Sequence, residues 1–438
     1  MAVSPAERPI RLVVRDGNLA RSRLTVFFRI FLAIPHLLWL FLWGIAAYVV
    51  AFILWIAILI EGQAPEILHD FVAGYLRYTT HVGAYVFIAA NPYPGFRGAP
   101  GYPVDLEINP PQRQNRWSAG FRLILALPAL LLASALGGGF SVGSPGGSFG
   151  AQSDDYVLSL SSAAFSSAGV AAVAAFLTWF VAVARGHATS GLRDLMTYAL
   201  GYGAQAGGYL LLLTDRYPSS DPALMEPLQE LPTHPVRMEV TDELERSRLT
   251  VLFRLLLAIP QFVWIMLWSI AVFFAVIAAW LAALATGRVP VALHRFLAAY
   301  VRYGVHLGAY VYLIGRRFPG FTGGEGSYGI DVHIDPPRAQ SRWKTLFRGF
   351  LAFPAFFVAG ALGGVLLAVA ILGWWYSLIR GRMPEGLRNL GASCLRYSAQ
   401  TYAYSLLLID RYPYATPVLR GRAPLFEAPD EPVPGGAF

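Results

Sequence analysis

Long apolar runs, broken at intervals by arginine, dominate the chain. Residues 30–60, 255–287 and 349–379 contain no charged residue, and between Leu123 and Ala184 only Asp154 and Asp155 are charged. About 20 apolar residues cross a bilayer as a helix, so these runs predict an integral membrane protein. The interruptions repeat. "RSRLTVFFRIFLAIP" from Arg21 returns as "RSRLTVLFRLLLAIP" from Arg246, with weaker copies in "NRWSAGFRLILALP" from Asn115 and "SRWKTLFRGFLAFP" from Ser341.

Aligning the copies divides the chain into a first half (1–219) and a second half (235–415), followed by a Pro-rich tail (416–438). Each half holds two units: A (21–96) and B (114–219), then C (246–321) and D (340–415). A resembles C, and B resembles D, as expected of a unit doubled and then doubled again. Every unit opens on an arginine (Arg29, Arg122, Arg254, Arg348) and continues through an apolar stretch containing Pro35, Pro128, Pro260 or Pro354. A tryptophan follows (Trp55, Trp179, Trp280, Trp374), then a glycine (Gly62, Gly186, Gly287, Gly381) and a third helical segment ending at Tyr-Pro or Phe-Pro.

An apolar stretch of about 40 residues would rise roughly 60 Å as one helix, twice the hydrocarbon thickness. Unit B carries a polar insertion, "GGGFSVGSPGGSFGAQSDDY" (137–156), in the middle of its stretch. Such a loop cannot lie in lipid with its backbone unsatisfied. The expectation is therefore a helical hairpin in every unit, turning at Gly44, the insertion, Ser269 and Gly363. The predicted fold is an all-α integral membrane protein with eight spanning helices, four amphipathic or membrane-embedded third helices and a small cytoplasmic β cap. None of the 34 Lys and Arg falls at a tip, so the positive-inside rule places them all on the cytoplasmic side of four parallel units. A rival reading lays the start of unit A flat and spans with residues 36–60 and 67–90.

The third segments carry the polar chemistry. Spacings of seven and four align Asp70, Arg77 and His81 in A, and Arg295, Arg302 and His306 in C. Asn389, Arg396 and Gln400 occupy those places in D, and Asp194, Gly201 and Gln205 in B. Each set lies on one helical stripe. Arg77, His81, Arg302, His306, Arg396 and Gln400 are thus candidates for binding lipid or another ligand, either snorkelling to headgroups or lining a polar cavity. His81 and His306 occupy equivalent places, where a pseudo-twofold axis would bring them together. Two histidines without a third ligand make no metal site. "GAQAG" (203–207) and "GVHLG" (304–308) have the small-xxx-small spacing of close helix contacts.

Four segments alternate with period two, as strands do: 9–16, 103–110, 235–242 and 329–336. Arg11 and Arg15 face Asp105 and Glu107 as candidate cross-strand partners, and Arg237 faces Asp331. One cap of four strands is expected.

Composition narrows the function classes. Charged residues make up 14% of the chain, and the net charge of +8 comes from 33 arginines and one lysine, Lys344. The arginines flank apolar runs, which argues for membrane borders and against nucleic acid. A single cysteine, Cys394, excludes an internal disulfide and a paired-cysteine metal site. "GGSFG" (146–150) matches the nucleophile-elbow pattern at Ser148, with Asp154 and His187 as nominal partners. It lacks the strand and helix that expose such a serine, so no catalytic residue, cofactor or metal is expected.

The recurring "FFRIFLAIP…W……G…P…L…YLRY…Y…YP" resembles the bacterial membrane proteins of the family called domain of unknown function 4389. The resemblance covers all four units and implies residence in a bacterial membrane with the unit in tandem; the arginine borders add the expectation of a cytoplasmic membrane with both termini cytoplasmic. Unit B departs from it, with "GHAT" (186–189) at the turn and Gly201 for the arginine. The expected role is a non-enzymatic scaffold or accessory subunit that binds membrane lipids and either a membrane-protein partner or itself. The alternative is a small-solute or anion transporter with its site at a repeat interface.

Overall fold

The computed structural model describes residues 8–137, 169–225, 227 and 230–419. Ser148, Asp154 and most of the tail lie outside the described residues. Unit A begins with a short helix, α1 (Arg23–Phe27), and continues with α2 (Arg29–Glu61) and α3 (Glu66–Val86). Unit B repeats this as α4 (Arg116–Gly120), α5 (Arg122–Gly137), α6 (Val170–Arg185) and α7 (Ser190–Leu210). Unit C has α8 (Arg248–Leu252), α9 (Arg254–Thr286) and α10 (Val291–Val311). Unit D has α11 (Arg342–Leu346), α12 (Arg348–Arg380) and α13 (Glu385–Ser405).

The hairpins do not form in units A, C and D; the tip expected in unit B lies, beyond Gly137, outside the described residues. Helices α2, α9 and α12 each run 33 residues, so Gly44, Ser269 and Gly363 lie in mid-helix. An isolated glycine costs a helix about 1 kcal/mol but supplies no turn, and a continuous backbone ladder is the favoured state in an apolar setting. Pro35 and Pro354 sit inside their helices without ending them. What ends α2 is Gly62 at φ 78°, whose N–H bonds Ile58, an αL cap open to glycine without penalty. Gly186, Gly287 and Gly381 repeat it. Among the described residues three helices are long and apolar enough to cross a membrane. Their outer faces are large and apolar, with Phe31, Phe41, Phe52, Phe273 and Phe350 all more than half exposed. This is a membrane protein.

The units of a half are antiparallel, not parallel. Leu200 of α7 packs on Gly83 of α3, while Leu76 of α3 packs on Gly207 of α7, so one index rises as the other falls. The ends agree. Gly62, before α3, accepts from the Gln114 N–H that opens unit B, and Gly186, before α7, accepts from the Arg21 N–H that opens unit A. The second half repeats the exchange through Gln340 with Gly287 and Arg246 with Gly381. Of the two small-xxx-small motifs, Gly207 and Gly308 make close contacts, whereas Gly203 and Gly304 face open space. The halves join where α12 packs on α5 and α6.

The expected single cap is two separate two-stranded antiparallel sheets. Strand β1 (Ile10–Val14) pairs with β2 (Val104–Ile108), placing Arg11 opposite Glu107, 2.6 Å apart. Strand β3 (Val236–Val240) pairs with β4 (Ile330–Ile334). Here Arg237 pairs with Asp335 at 3.1 Å rather than with Asp331, because the register sets Arg237 opposite His333. The strands lie along the middle of the third helices, not beyond their ends. Leu12 meets Gly201 and Ile10 meets Gly208, where any β-carbon would collide with the Ile10 side chain.

Candidate functional site: a polar helix layer beneath the strands

The polar stripes of α3 and α10 each face a strand and fasten it. His81 Nε2 lies 2.8 Å from Oδ1 of Asp105, a residue with no exposed surface. The same carboxylate accepts from the N–H groups of Gly101 at 2.7 Å and Leu106 at 2.8 Å. Arg77 Nε donates to the Leu106 carbonyl at 3.1 Å and stands 3.7 Å from Asp105. The second half reproduces each contact. His306 meets Asp331 at 2.8 Å, and Arg302 donates to the Val332 carbonyl at 3.0 Å and stands 3.7 Å from Asp331. His81 and His306 are therefore each bonded within their own half.

Charge states follow from this geometry. Desolvation pushes the Asp105 carboxyl upward, but hydrogen bonds from Gly101, His81 and Leu106 outweigh it and hold the group below the usual carboxylate range. Asp331 behaves in the same way. Burial lowers the pKa of His81 despite its carboxylate neighbour. The ring is neutral at pH 7, with its proton on the Nε2 that faces Asp105.

In unit D the stripe holds β3 and the chain that follows its own third helix, and contacts from α7 and α13 reach the tail and the linker between the halves. Arg396 donates to the Thr416 carbonyl at 2.5 Å and stacks 3.9 Å from the Tyr414 ring. Gln400 donates to the Val236 carbonyl at 3.1 Å and accepts from the Tyr414 N–H. Asp194 accepts from Thr416 across the halves, and Asn389 donates to Asp221. Asp70, by contrast, is exposed and touches only the neighbouring His69 ring. Among the described residues no group of three or more His, Cys, Asp or Glu could hold a metal. His187 lies in the loop that bridges to Ala20.

The repeated arginines form a second system. Arg29 is 2% exposed. It donates to the carbonyls of Tyr85 and Ala90 at the end of α3 and lies over the Tyr85 ring at 4.4 Å. Arg122, Arg254 and Arg348 do the same at the ends of α7, α10 and α13, over Tyr209, Tyr310 and Tyr404. A cation belongs there, against the carbonyls that end the helix and the negative end of its dipole. Trp55 and Trp280 donate to carbonyls of the next unit's short helix. Trp179 stacks on Phe27, and Trp374 meets Trp375 edge-on.

Just past each third helix one non-glycine residue takes a left-handed backbone: Ile88 (φ 61°), Leu212 (62°), Leu313 (64°) and Leu407 (64°). Their carbonyls accept from the side chain that opens the same unit: Arg21 on Ile88, Gln114 on Leu212, Arg246 on Leu313 and Gln340 on Leu407. Sequence reasoning missed these four side chains. Their signal was equal spacing, each eight residues before the buried arginine of its own unit.

The family described as domain of unknown function (DUF4389) matches residues 23–97, 160–220, 248–322 and 342–416, well over half of the chain. The chain belongs to this family. The matched segments are the units whose clamps repeat above, and the family description assigns no activity to them. No curated protein and no solved structure matches the chain.

Proposed function

We propose that this DUF4389 protein is a non-enzymatic membrane scaffold or accessory subunit that lies along the membrane surface. In this reading the strand-bearing face is turned to water for a membrane-protein partner or a second copy. The observation that carries it is the position of the strands. Sheet β1–β2 sits over the middle of α3 and α7 with the half-exposed pair Arg11–Glu107 on it. If α3 stood upright in the bilayer, that pair would lie at mid-depth, where a charge costs several kcal/mol. Laid flat, the polar layer meets water while the long helices lie beneath it in one leaflet.

Headgroup contact then falls to the short helices. Arg23, Arg116, Arg248 and Arg342 are exposed and stand next to Leu24, Trp117, Leu249 and Trp343, each more than two-thirds exposed. Arginine beside large apolar residues suits an interface with anionic lipid. Arg77, His81, Arg302, His306, Arg396 and Gln400 act here as fasteners of the aqueous face. The excess of arginine supports a cytoplasmic orientation of that face in a bacterial inner membrane.

The test is sidedness. Single cysteines replace Arg23 and Arg116, which flank opposite ends of α2, in a Cys394→Ser background within sealed vesicles. A membrane-impermeant maleimide added outside labels both or neither if the protein lies flat, and only one if α2 crosses. Mass spectrometry of the protein in polymer-bounded native discs then identifies a stoichiometric partner or a self-oligomer. The antiparallel units favour one second reading, because inverted repeats build many transporters. One-sided labelling, with solute flux in vesicles that Arg77→Gln, Arg302→Gln and Arg396→Gln abolish, would establish it instead.

A further inference from the structure

Beneath the α3–α7 pair lies a groove that no part of the described chain fills. Its volume is about 140 Å³, close to the roughly 150 Å³ of an apolar cavity that takes up benzene. Thr79, Gly83, Gly203 and Gly207 form its roof, with Leu37 and Tyr48 of α2 on one wall and Leu130 and Ser134 of α5 on the other. Thr79 and Thr80 spend their hydroxyls on their own helix carbonyls, as Ser134 does on Leu131. These bonds leave the lining almost wholly apolar in character.

The groove faces away from the strands. At about 100° per residue, Thr79 projects about 200° round α3 from Arg77, and Gly203 the same from Gly201 on α7. It therefore opens among the outward apolar side chains of α2 and α5, such as Phe41, Ile45, Leu127 and Leu131. In the second half Tyr402 stands where the repeat has Gly207, and Phe356 where it has Leu130. Their rings meet edge-on at 5.9 Å. The second half has filled the equivalent space with its own side chains, whereas among the described residues the first half leaves it open.

We propose that this groove is a binding site for one acyl chain of a membrane phospholipid, entering from the leaflet that the long helices occupy. The proposal rests on the membrane reading above. Tyr48, Tyr75 and Phe87 bring their rings to the site, most of the remaining lining is aliphatic, and with the Thr79, Thr80 and Ser134 hydroxyls spent on helix carbonyls the chemistry recognises a hydrocarbon chain rather than an anion.

The test uses the full chain in vesicles of phosphatidylcholine and phosphatidylglycerol containing a phospholipid with a diazirine near one acyl terminus. After irradiation, adducts are mapped by peptide mass spectrometry. Adducts should concentrate at Thr79, Leu130 and Ser134. Gly203→Phe places a ring where a β-carbon meets nothing within 4 Å; it should lower those adducts at least about fivefold while leaving those at Phe41 and Ile45 unchanged. Tyr402→Gly should create new adducts beside Gly304. Adducts spread evenly over α2, or unmoved by both variants, overturn the site. Absence of adducts at Phe41 and Ile45 as well overturns the membrane reading itself.

Discussion

Replacing Asp105 by alanine should detach β2 from α3 without unfolding the long helices. The carboxylate has no exposed surface and accepts from His81, Gly101 and Leu106 at 2.8, 2.7 and 2.8 Å. Truncation leaves three donors without a partner at about 1–3 kcal/mol each, and breaking a buried charge pair costs about 3–5 kcal/mol. A loss of about 4 kcal/mol corresponds to roughly a thousandfold faster exchange of protected amides through local opening. The assay is amide hydrogen exchange on the protein in nanodiscs. Protection in 104–108 should fall about a thousandfold, while protection in the middle of α2 stays put. His81→Ala leaves the carboxylate its two backbone donors and should cost about 2 kcal/mol. The double variant should show coupling of about 1.5–3 kcal/mol, the worth of one hydrogen bond to a charged group. Protection at Leu106 within threefold of wild type in Asp105→Ala would refute the fastening role and return His81 and Arg77 to the pool of ligand-binding residues.

Other expectations follow from the same contacts. Because the folded-state pKa of Asp105 is depressed, its stabilisation is complete above the ordinary carboxylate range and is lost as pH falls through the folded value. Exchange in β2 should therefore accelerate below about pH 4, and Asp105→Asn should abolish that dependence. His234, 3% exposed, is lowered to about 4, mainly by burial. The unfolded chain takes up that proton first, so stability should fall by about 3 kcal/mol from pH 6.5 to 4 and level off below; a thermal scan of His234→Gln should lack this component. Arg29→Gln strips the cation from the buried Tyr85 and Ala90 carbonyls and should cost about 2–4 kcal/mol. Lysine should fail to rescue it, since it lacks the planar fork, and the unfolding midpoint measures both. Ile88→Gly relieves about 1 kcal/mol of left-handed strain but deletes a side chain 3% exposed, worth about 2–3 kcal/mol; the same scan should show a net loss.

The four units and the four strands were legible in the sequence, because repetition and periodicity are local properties. The Arg11–Glu107 pair was among the cross-strand candidates, but alternation sets only the face and leaves the register open by steps of two residues, which is why Arg237 was expected on Asp331 and met Asp335. The hairpin expectation failed in units A, C and D. The inference rested on length against bilayer thickness, whereas Gly44, Ser269 and Gly363 carry no turn chemistry and the helical ladder runs straight through them.

What the sequence alone determined is a membrane protein of repeated units, each an apolar helix followed by a helix with a polar stripe. Only the tertiary structure decided which way neighbouring units run and what the stripe touches. Repetition states that units are alike but is blind to their relative direction, since a helix face reads the same against a parallel or an antiparallel partner. Direction was settled by contacts between units, Leu200 on Gly83 and Leu76 on Gly207, and by the backbone bonds of Gln114 to Gly62 and of Arg21 to Gly186. The stripe met Asp105 and Asp331 because a buried histidine and a buried carboxylate each lower the cost of the other.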